Sequence, residues 1–211
     1  MGFRRGEKSD LRKMFLTKLF LVMYTLKVKI IETQINRSSK KNFRKERYEV
    51  QDFSGTGSCV PDYVMDNDGV AELVETSDSW IRERTGIARR HIAVKETTVS
   101  MANEAAKRAL DNAGVLPEEL DLILMSTISS DVIIPCGACE VQKAIGADKA
   151  VCFDLNGACT GFVLAYNTAL AYIESGIYQT VLIVGSESLS RLTNWKDRGT
   201  CIFSETAPVQ Q

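Results

Sequence analysis

One stretch of this 211-residue sequence places a reactive side chain in a turn built from small residues. Phe153 to Phe162 reads FDLNGACTGF, in which the apolar end of a predicted strand leads into a turn around Cys159. A helix pattern begins at Gly161, so Cys159 is expected at a helix N-terminus, where unpaired N–H groups and the helix dipole stabilise a thiolate. This arrangement suits a cysteine nucleophile. From the local pattern alone, a buried structural cysteine in a tight strand-to-helix turn is the favoured interpretation, because buried cysteines are common and reactive ones are not.

A second stretch, TSDSWIRERTG, places an aromatic ring and a guanidinium on one helix face. Ser77 suits the start of a helix and Gly86 suits its end. Trp80 and Arg84 are four residues apart and therefore share a face. A flat ring beside a guanidinium is a platform for a nucleotide base and its phosphates. An amphipathic helix whose tryptophan only packs against the core gives the same pattern.

The longer elements alternate between helices and strands. An alanine-rich helix is predicted from Ser100 to Gly114, and the apolar run at 121–127 suits a strand buried on both faces. The elements that follow are a helix at 140–146, a strand at 150–155, a helix at 161–175 and a buried strand at 180–185. Alternation with short connections predicts an α/β domain with a largely parallel sheet.

Two shorter segments precede this alternation. The SGTGS run at 54–58 lacks the spacing of a dinucleotide fingerprint and is predicted as a glycine turn. Asn67 is predicted as the N-cap of a short helix that contains Val70 and Val74.

Charge and cysteine usage narrow the class of protein. The first 50 residues carry 14 Lys and Arg against 5 Asp and Glu, although the net charge of the chain is −1. Within this segment, the basic run at 40–47 suits a solvated tail better than a nucleic-acid site. Its apolar run at 14–26 is too short to span a bilayer as a helix. The six cysteines show no disulfide-framework rhythm, which favours a reducing cytoplasm.

Two further features bear on metal and redox chemistry. The single histidine, His91, excludes a mechanism that needs two histidines and argues against a histidine-rich zinc site. Cys136 and Cys139 form a C-x-x-C motif, which can be half of a zinc site or a redox pair. Because no second pair and no thioredoxin-like context accompany it, a structural role is the favoured interpretation.

Taken together, several motifs of the sequence resemble those of β-ketoacyl-acyl-carrier-protein synthase III, the initiating condensing enzyme of type II fatty acid synthesis. The matching motifs are GTGS at 55–58, ETSDSWIRERTGIARRHIA at 75–93, IP at 134–135, ACEVQ at 138–142, FDLNGACTGF at 153–162, VGSE at 184–187 and DRGTC at 197–201. They follow the family's order and spacing. The resemblance implies the N-terminal half of a thiolase-like fold, with a largely parallel mixed sheet flanked by helices, from a family that works as a homodimer.

The resemblance also implies a reaction. Cys159 would attack the thioester of acetyl-CoA or another short acyl-CoA, retain the acyl group and release CoA. Malonyl-acyl-carrier-protein would then lose CO₂, and its carbanion would attack the acyl-enzyme. No bound cofactor and no metal are expected, because the acyl-CoA is a substrate. Cys136 and Cys139 receive no catalytic role.

Five other residues fall on positions to which the family gives a binding role. Trp80 would stack on the adenine of CoA, with Arg198 on the other face of the base. Thr76 and Arg84 would lie at the same entrance. Ile134 would lie where the partner subunit reaches into the acyl pocket.

The sequence departs from the family pattern at both ends. Residues 1–51 form a basic extension that does not match, residues 52–203 match, and residues 204–211 form an aberrant tail that a frame slip near Phe203 would explain. The family's catalytic histidine and asparagine and its second oxyanion-hole amide belong to the second half. The chain is therefore expected to be truncated and inactive alone. The alternatives are a non-enzymatic remnant that binds CoA or carrier protein, and a related polyketide or hydroxymethylglutaryl-CoA synthase.

Overall fold

The computed structural model describes residues 54–202 and the backbone of two further strands, at 26–30 and 207–209. The predicted basic run at 40–47, most of the apolar run at 14–26 and the segment boundaries near 51 and 203 lie outside these residues. Strands are found at β1 (Leu26–Ile30), β2 (Gly55–Gly57), β3 (Val64–Asp66), β4 (Arg89–His91), β5 (Leu122–Ser126), β6 (Val151–Leu155), β7 (Thr180–Gly185) and β8 (Ala207–Val209). Helices are found at α1 (Asn67–Ala71), α2 (Asp78–Thr85), α3 (Thr98–Ala113), α4 (Gly137–Ile145), α5 (Gly161–Glu174) and α6 (Arg198–Cys201).

The larger sheet has five strands in the order β2-β1-β7-β5-β6. β5 pairs in parallel with both β6 and β7, and its central Leu124 lies opposite Phe153 and Ile183. β1 pairs antiparallel with β2 and β7, so the segment 1–51 contributes one strand to this sheet. The predicted α/β class with a largely parallel mixed sheet is confirmed.

Helices cover both faces of this sheet because β5 and β7 direct alternate side chains into two cores. Ile123 and Met125 pack with α3 and α4 on one face. Leu122 and Leu124 pack with α5 on the other. Every residue of β5 is buried, as predicted for a strand covered on both sides. The ends of β5 and β6 thus lie between α4 and α5, where Cys159 follows.

The 54–58 run shows one error of the sequence prediction. It was expected to be a turn, but its central residues form β2 and pair with β1. The strand lies so close to α3 that a Cβ at Gly57 would come within 2.3 Å of the Ala105 carbonyl oxygen. Glycine is therefore required by the contact between strand and helix.

The cap of α1 also differs from the expectation. Asp66, one residue earlier than predicted, is the N-cap and accepts the Gly69 N–H at 2.9 Å. Asn67 is instead a buried residue of the helix, and its Nδ2 donates to Asp78 Oδ1 and to the Ile87 carbonyl, both at 2.8 Å. These bonds connect the start of α1 to both ends of α2.

A smaller unit carries the aromatic residues of the second stretch. β3, β4 and β8 form an antiparallel three-stranded sheet. Val70, Ile81, Cys201 and Ile202 form its apolar core, and Trp80 packs against that core. Because α6 provides Cys201, the chain segment around Arg198 is held next to α2. No helix within the described ranges has the length and apolarity that a membrane span requires.

A buried carboxylate connects the C-terminal ends of β5 and β7. Glu187 is 2% exposed and accepts the Ile128 N–H at 2.9 Å, the Ser129 hydroxyl, and the Thr127 hydroxyl at 3.3 Å. Burial raises the pKa of Glu187, and these hydrogen bonds oppose the rise only in part. The folded protein therefore binds a proton at this position more tightly than the unfolded chain does.

This shift predicts a pH-dependent stability. The folded-state pKa of Glu187 exceeds its unfolded-state pKa. The contribution of this shift to the free energy of unfolding is therefore complete below the unfolded-state pKa, and it is lost as pH rises through the folded-state pKa. Glu187→Gln cannot ionise, so we expect its free energy of unfolding to fall less than that of the wild type between acidic and neutral pH. Urea unfolding across that range measures the difference. Glu118→Gln, at an exposed position, is the control, and equal pH slopes in wild type and Glu187→Gln would contradict the prediction.

Candidate active site

Cys159 lies in a short turn between the end of β6 and the start of α5. The turn is a single 3₁₀ turn at Ala158–Thr160, and α5 begins directly after it at Gly161. The Thr160 N–H and hydroxyl both donate to the Gly157 carbonyl, at 3.0 and 2.8 Å, and hold the turn closed. Cys159 has a free, exposed thiol, which excludes the alternative of a buried structural cysteine. The thiol therefore lies at the N-terminus of a 14-residue helix.

The backbone before Cys159 is strained. Ala158 has a φ of 44°, in the left-handed region that residues with a Cβ rarely adopt. Such a conformation costs about 1 kcal/mol or more, and it persists only where surrounding contacts impose it. Here the closed 3₁₀ turn imposes it and presents Cys159 to solvent.

Close packing fixes the first residue of α5 against β5. A Cβ at Gly161 would lie 2.0 Å from Ser126 Oγ, so only glycine allows the helix to approach the end of β5 this closely. Ser126 is 6% exposed. The position of the Cys159 turn is thus determined by the end of the central strand.

A second contact fixes the segment that follows β5. Asp154, on β6, accepts the N–H groups of Gly137 and Ala138 at 2.9 and 2.8 Å. These are the first amides of α4, which otherwise lack partners within the helix. This bond explains why α4 begins three residues before the predicted start at Glu140. It also ties the loop that carries Ile134 to the strand that leads to Cys159.

The aromatic platform is present, and two guanidinium groups cover it. The Arg84 Cζ lies 4.1 Å and the Arg198 Cζ 4.7 Å from the centre of the Trp80 ring. Arg84 also donates to the Trp80 carbonyl at 3.2 Å, and Arg198 donates to the Glu75 carbonyl at 3.4 Å. Three of the expected entrance residues therefore form one cluster, in which a ring and two positive charges lie together.

The other two expected residues, Thr76 and Ile134, differ from each other in burial. The Thr76 hydroxyl is buried and has no hydrogen-bond partner among the described residues, next to the cap of α2. Ile134 lies in the loop before α4 and is 88% exposed. Within residues 54–202, no hydrogen bond or ring contact joins Cys159 to Ile134 or to the Trp80 cluster.

The only histidine of the sequence is engaged away from the Cys159 turn. His91 belongs to β4 of the smaller sheet, and its Nδ1 lies 2.5 Å from the Pro61 carbonyl oxygen. No group of three or more His, Cys, Asp or Glu in the described part of the chain is arranged to hold a metal ion.

Sequence reasoning missed two polar residues that position the site. Asp154 and Glu187 each fix a loop at the end of a central strand. A detectable signal exists for both, because a carboxylate within or directly after an apolar strand needs buried hydrogen-bond donors.

Comparison with known sequences gives consistent similarities. The family model described as 3-oxoacyl-[acyl-carrier-protein (ACP)] synthase III matches residues 153–208. A curated β-ketoacyl-[acyl-carrier-protein] synthase III of Clostridium acetobutylicum is 49% identical over 149 residues, which cover 71% of this chain and 46% of the relative. The protein of the same name from Desulfitobacterium hafniense is 51% identical over 150 residues, covering 71% of this chain and 45% of the relative.

Solved structures show the same similarity. The crystal structure of 3-oxoacyl-[acyl-carrier-protein] synthase III from Aquifex aeolicus has a TM-score of 0.69 and 42% identity, and the match covers 72% of this chain and 49% of that one. A priming β-ketosynthase from the R1128 polyketide pathway has a TM-score of 0.67 and 38% identity, with 69% and 44% covered.

These similarities confirm two predictions, the family resemblance inferred from the sequence motifs and the thiolase-like fold class. The chain spans about half the length of the curated relatives it matches. Over that part, it belongs to the β-ketoacyl-acyl-carrier-protein synthase III family.

Proposed function

We propose that this chain carries the acyl-accepting part of a β-ketoacyl-acyl-carrier-protein synthase III, an acyltransferase that initiates fatty acid synthesis. Cys159 takes the acyl group of a short acyl-CoA such as acetyl-CoA. The observation that carries the proposal is the exposed thiol on a strained turn at the start of α5. A solvent-facing sulfur next to helix-terminal amides combines access with stabilisation of negative charge.

The chemistry that this position supports is thioester exchange. The Cys159 thiolate attacks the thioester carbonyl carbon, and the carbonyl oxygen takes up the negative charge. Backbone N–H groups in the first turn of a helix are suited to such an oxyanion. The bond between carbonyl carbon and CoA sulfur then breaks, the acyl group stays on Cys159, and the departing CoA thiolate takes up from solvent the proton that Cys159 released on ionising.

The Trp80 cluster is proposed as the entrance for the CoA nucleotide. Its ring can stack on adenine, and the guanidinium groups of Arg84 and Arg198 can pair with phosphates. A base between Trp80 and Arg198 needs about 7 Å between them, twice a van der Waals separation of about 3.5 Å. Because Arg198 lies 4.7 Å from the ring, it has to move outward when the base enters. The Thr76 hydroxyl is buried and lacks a partner in the described part, so it can add a polar contact at this entrance only after the groups that cover it move.

This entrance predicts which substitutions weaken CoA binding. Trp80→Ala removes the stacking surface, and we expect the Kd for CoA to rise about 10-fold, which corresponds to roughly 1.4 kcal/mol. Arg84→Ala should raise the Kd by a similar factor. Isothermal titration calorimetry of the whole chain with CoA measures both.

The control is a neighbouring arginine of the same helix. Arg82 pairs with Asp78 at 2.7 Å and makes no recorded ring contact with Trp80. Arg82→Ala removes the same charge from α2 and should leave the Kd within about 2-fold, since exposed ion pairs contribute little. Equal losses for Arg82→Ala and Arg84→Ala would mean that net charge alone governs CoA binding.

The second substrate, the homodimer contact and the cellular compartment are also part of the proposal. Malonyl-acyl-carrier-protein is the second substrate, and the exposed Ile134 loop is the contact of a homodimer beside the acyl pocket. Condensation needs a group that stabilises the enolate, and His91, engaged at Pro61, does not supply it next to Cys159. Acyl transfer to Cys159 is therefore the half-reaction that residues 54–202 support. The six free thiols fit a reducing cytoplasm.

Labelling tests the proposed function. The chain is incubated with acetyl-CoA labelled in the acetyl group, digested and mapped by mass spectrometry. An acetyl group on Cys159 is the expected result. CoA binding without acetylation would support the non-enzymatic alternative. The absence of both CoA binding and acetyl label would overturn the proposal. The similarity to a polyketide priming β-ketosynthase keeps that class as a second candidate, and a series of acyl-CoA chain lengths distinguishes it by its preferred primer.

A further inference from the structure

Three thiols lie together outside the turn of Cys159. Cys136 is the N-cap of α4, Cys139 lies in its first turn, and their sulfur atoms are 3.5 Å apart. Cys152, on the adjacent strand β6, packs against the same core, and its thiol interacts with that of Cys139. The proposed acyl transfer uses none of these groups.

We propose that Cys136 and Cys139 form a redox-active dithiol, which small-molecule disulfides of the glutathione type oxidise to an internal disulfide. One protein thiolate attacks a sulfur of the small disulfide, forms a mixed disulfide and releases one small thiol. The other protein thiolate then attacks the protein sulfur of the mixed disulfide, and the second small thiol leaves. The protein pair loses two protons and two electrons, and the small disulfide becomes two thiols.

The local geometry suits this bond. Positions three residues apart lie side by side on a helical turn. The Cys139 N–H donates to the Cys136 carbonyl at 3.0 Å and keeps this turn closed. A disulfide needs a sulfur–sulfur distance of about 2.05 Å, so the two sulfur atoms have to approach by about 1.5 Å. Both cysteines are only partly buried, so we expect rotation of their side chains to provide that approach.

The third thiol is a poor partner for either cysteine. Burial, followed by the nearby Cys139 and Cys136, raises the pKa of Cys152 to about 12. Cys152 is therefore protonated at neutral pH, and a thiol is a weak nucleophile compared with its thiolate. Metal binding by the three sulfurs is also disfavoured, because no metal-holding group of His, Cys, Asp or Glu occurs in residues 54–202.

Asp154 influences the balance between dithiol and disulfide. Its carboxylate occupies the N–H groups of Gly137 and Ala138, so these amides are not available to the Cys136 sulfur. Burial raises the pKa of Cys136, and the Asp154 charge adds to that rise. A dithiol whose thiolate is not stabilised gives a disulfide that resists reduction, in contrast to strongly oxidising pairs with stabilised thiolates. The pair should therefore remain oxidised once the bond has formed.

Equilibration in glutathione buffers tests this proposal. The whole chain is incubated at increasing fractions of glutathione disulfide, quenched in acid, alkylated and mapped by mass spectrometry. We expect Cys136 and Cys139 to lose alkylation together and to appear in a peptide two hydrogens lighter. Cys136→Ser should leave Cys139 as a mixed disulfide with glutathione. Cys59→Ser, which retains the pair, should oxidise like the wild type.

Two results would overturn the proposal. In the first, both thiols stay alkylated in the most oxidising buffer, and in the second, Cys139 is found linked to Cys152. Cys159→Ala is a further control, because the dithiol is independent of the acylation site and should oxidise unchanged in that variant. Failure of acylation would therefore leave this test unaffected.

Discussion

We expect Cys159→Ser to lower the proposed rate of acyl transfer from acetyl-CoA to the chain by about 10³-fold or more. A serine hydroxyl is a weak nucleophile unless an adjacent base removes its proton. The only histidine of the sequence does not supply such a base, since His91 belongs to the smaller sheet and is engaged at Pro61. A cysteine sulfur depends less on such a base, because sulfur is intrinsically a much stronger nucleophile than a hydroxyl oxygen. Time-resolved mass spectrometry of the intact protein measures the rate.

The control for this prediction is a second thiol that is partly buried. Cys59 lies near α3, and burial raises the pKa of its thiol, so it should accept little acyl group. Cys59→Ala should acylate at the wild-type rate, and Cys159→Ala should not acylate at all. Persistent acylation of Cys159→Ala would assign the reaction to a different nucleophile and would refute the proposed function.

Much of the site could be predicted because its signals are local. The FDLNGACTGF motif contains both the apolar strand and the small residues of the turn. Cys159 was therefore expected between this strand and the following helix, where the structure places it. The four-residue spacing of Trp80 and Arg84 likewise encodes their contact. By contrast, Arg198 reaches Trp80 only through the packing of α6 in the smaller unit, and only the family resemblance pointed to it.

Features that depend on distant packing could not be predicted. The 54–58 run looks like a turn because it is rich in glycine, yet pairing with β1 makes it a strand. The C-x-x-C motif looked structural because no second pair accompanies it in the sequence. The third thiol, Cys152, comes from β6, and only the arrangement of β6 beside α4 shows that it lies near the motif. Local patterns carry no information on such approaches between elements.

The second large effect is expected at the start of α5. Gly161→Ala should lower the free energy of unfolding by roughly 1–3 kcal/mol, although alanine normally favours a helix over glycine by about 1 kcal/mol. The reason is steric, since the new Cβ would lie 2.0 Å from Ser126 Oγ in a buried contact. A displaced helix would also move the Cys159 turn, and a misplacement of about 1 Å can cost about 10²-fold in rate. Urea unfolding and the acylation rate measure the two effects.

A double-mutant cycle separates this steric effect from a general cost of changing the turn. Ser126→Ala removes the clashing oxygen and leaves Ser126 Cβ, which would lie 3.3 Å from the added methyl group. That distance is tight but tolerable after a small shift, so the double variant should regain most of the lost stability and acylation rate. The coupling energy should then exceed about 1 kcal/mol, as expected for residues in direct contact. If the two single effects simply add, the close approach of α5 to β5 does not position Cys159, and the strained turn at Ala158 has to hold the nucleophile without that support.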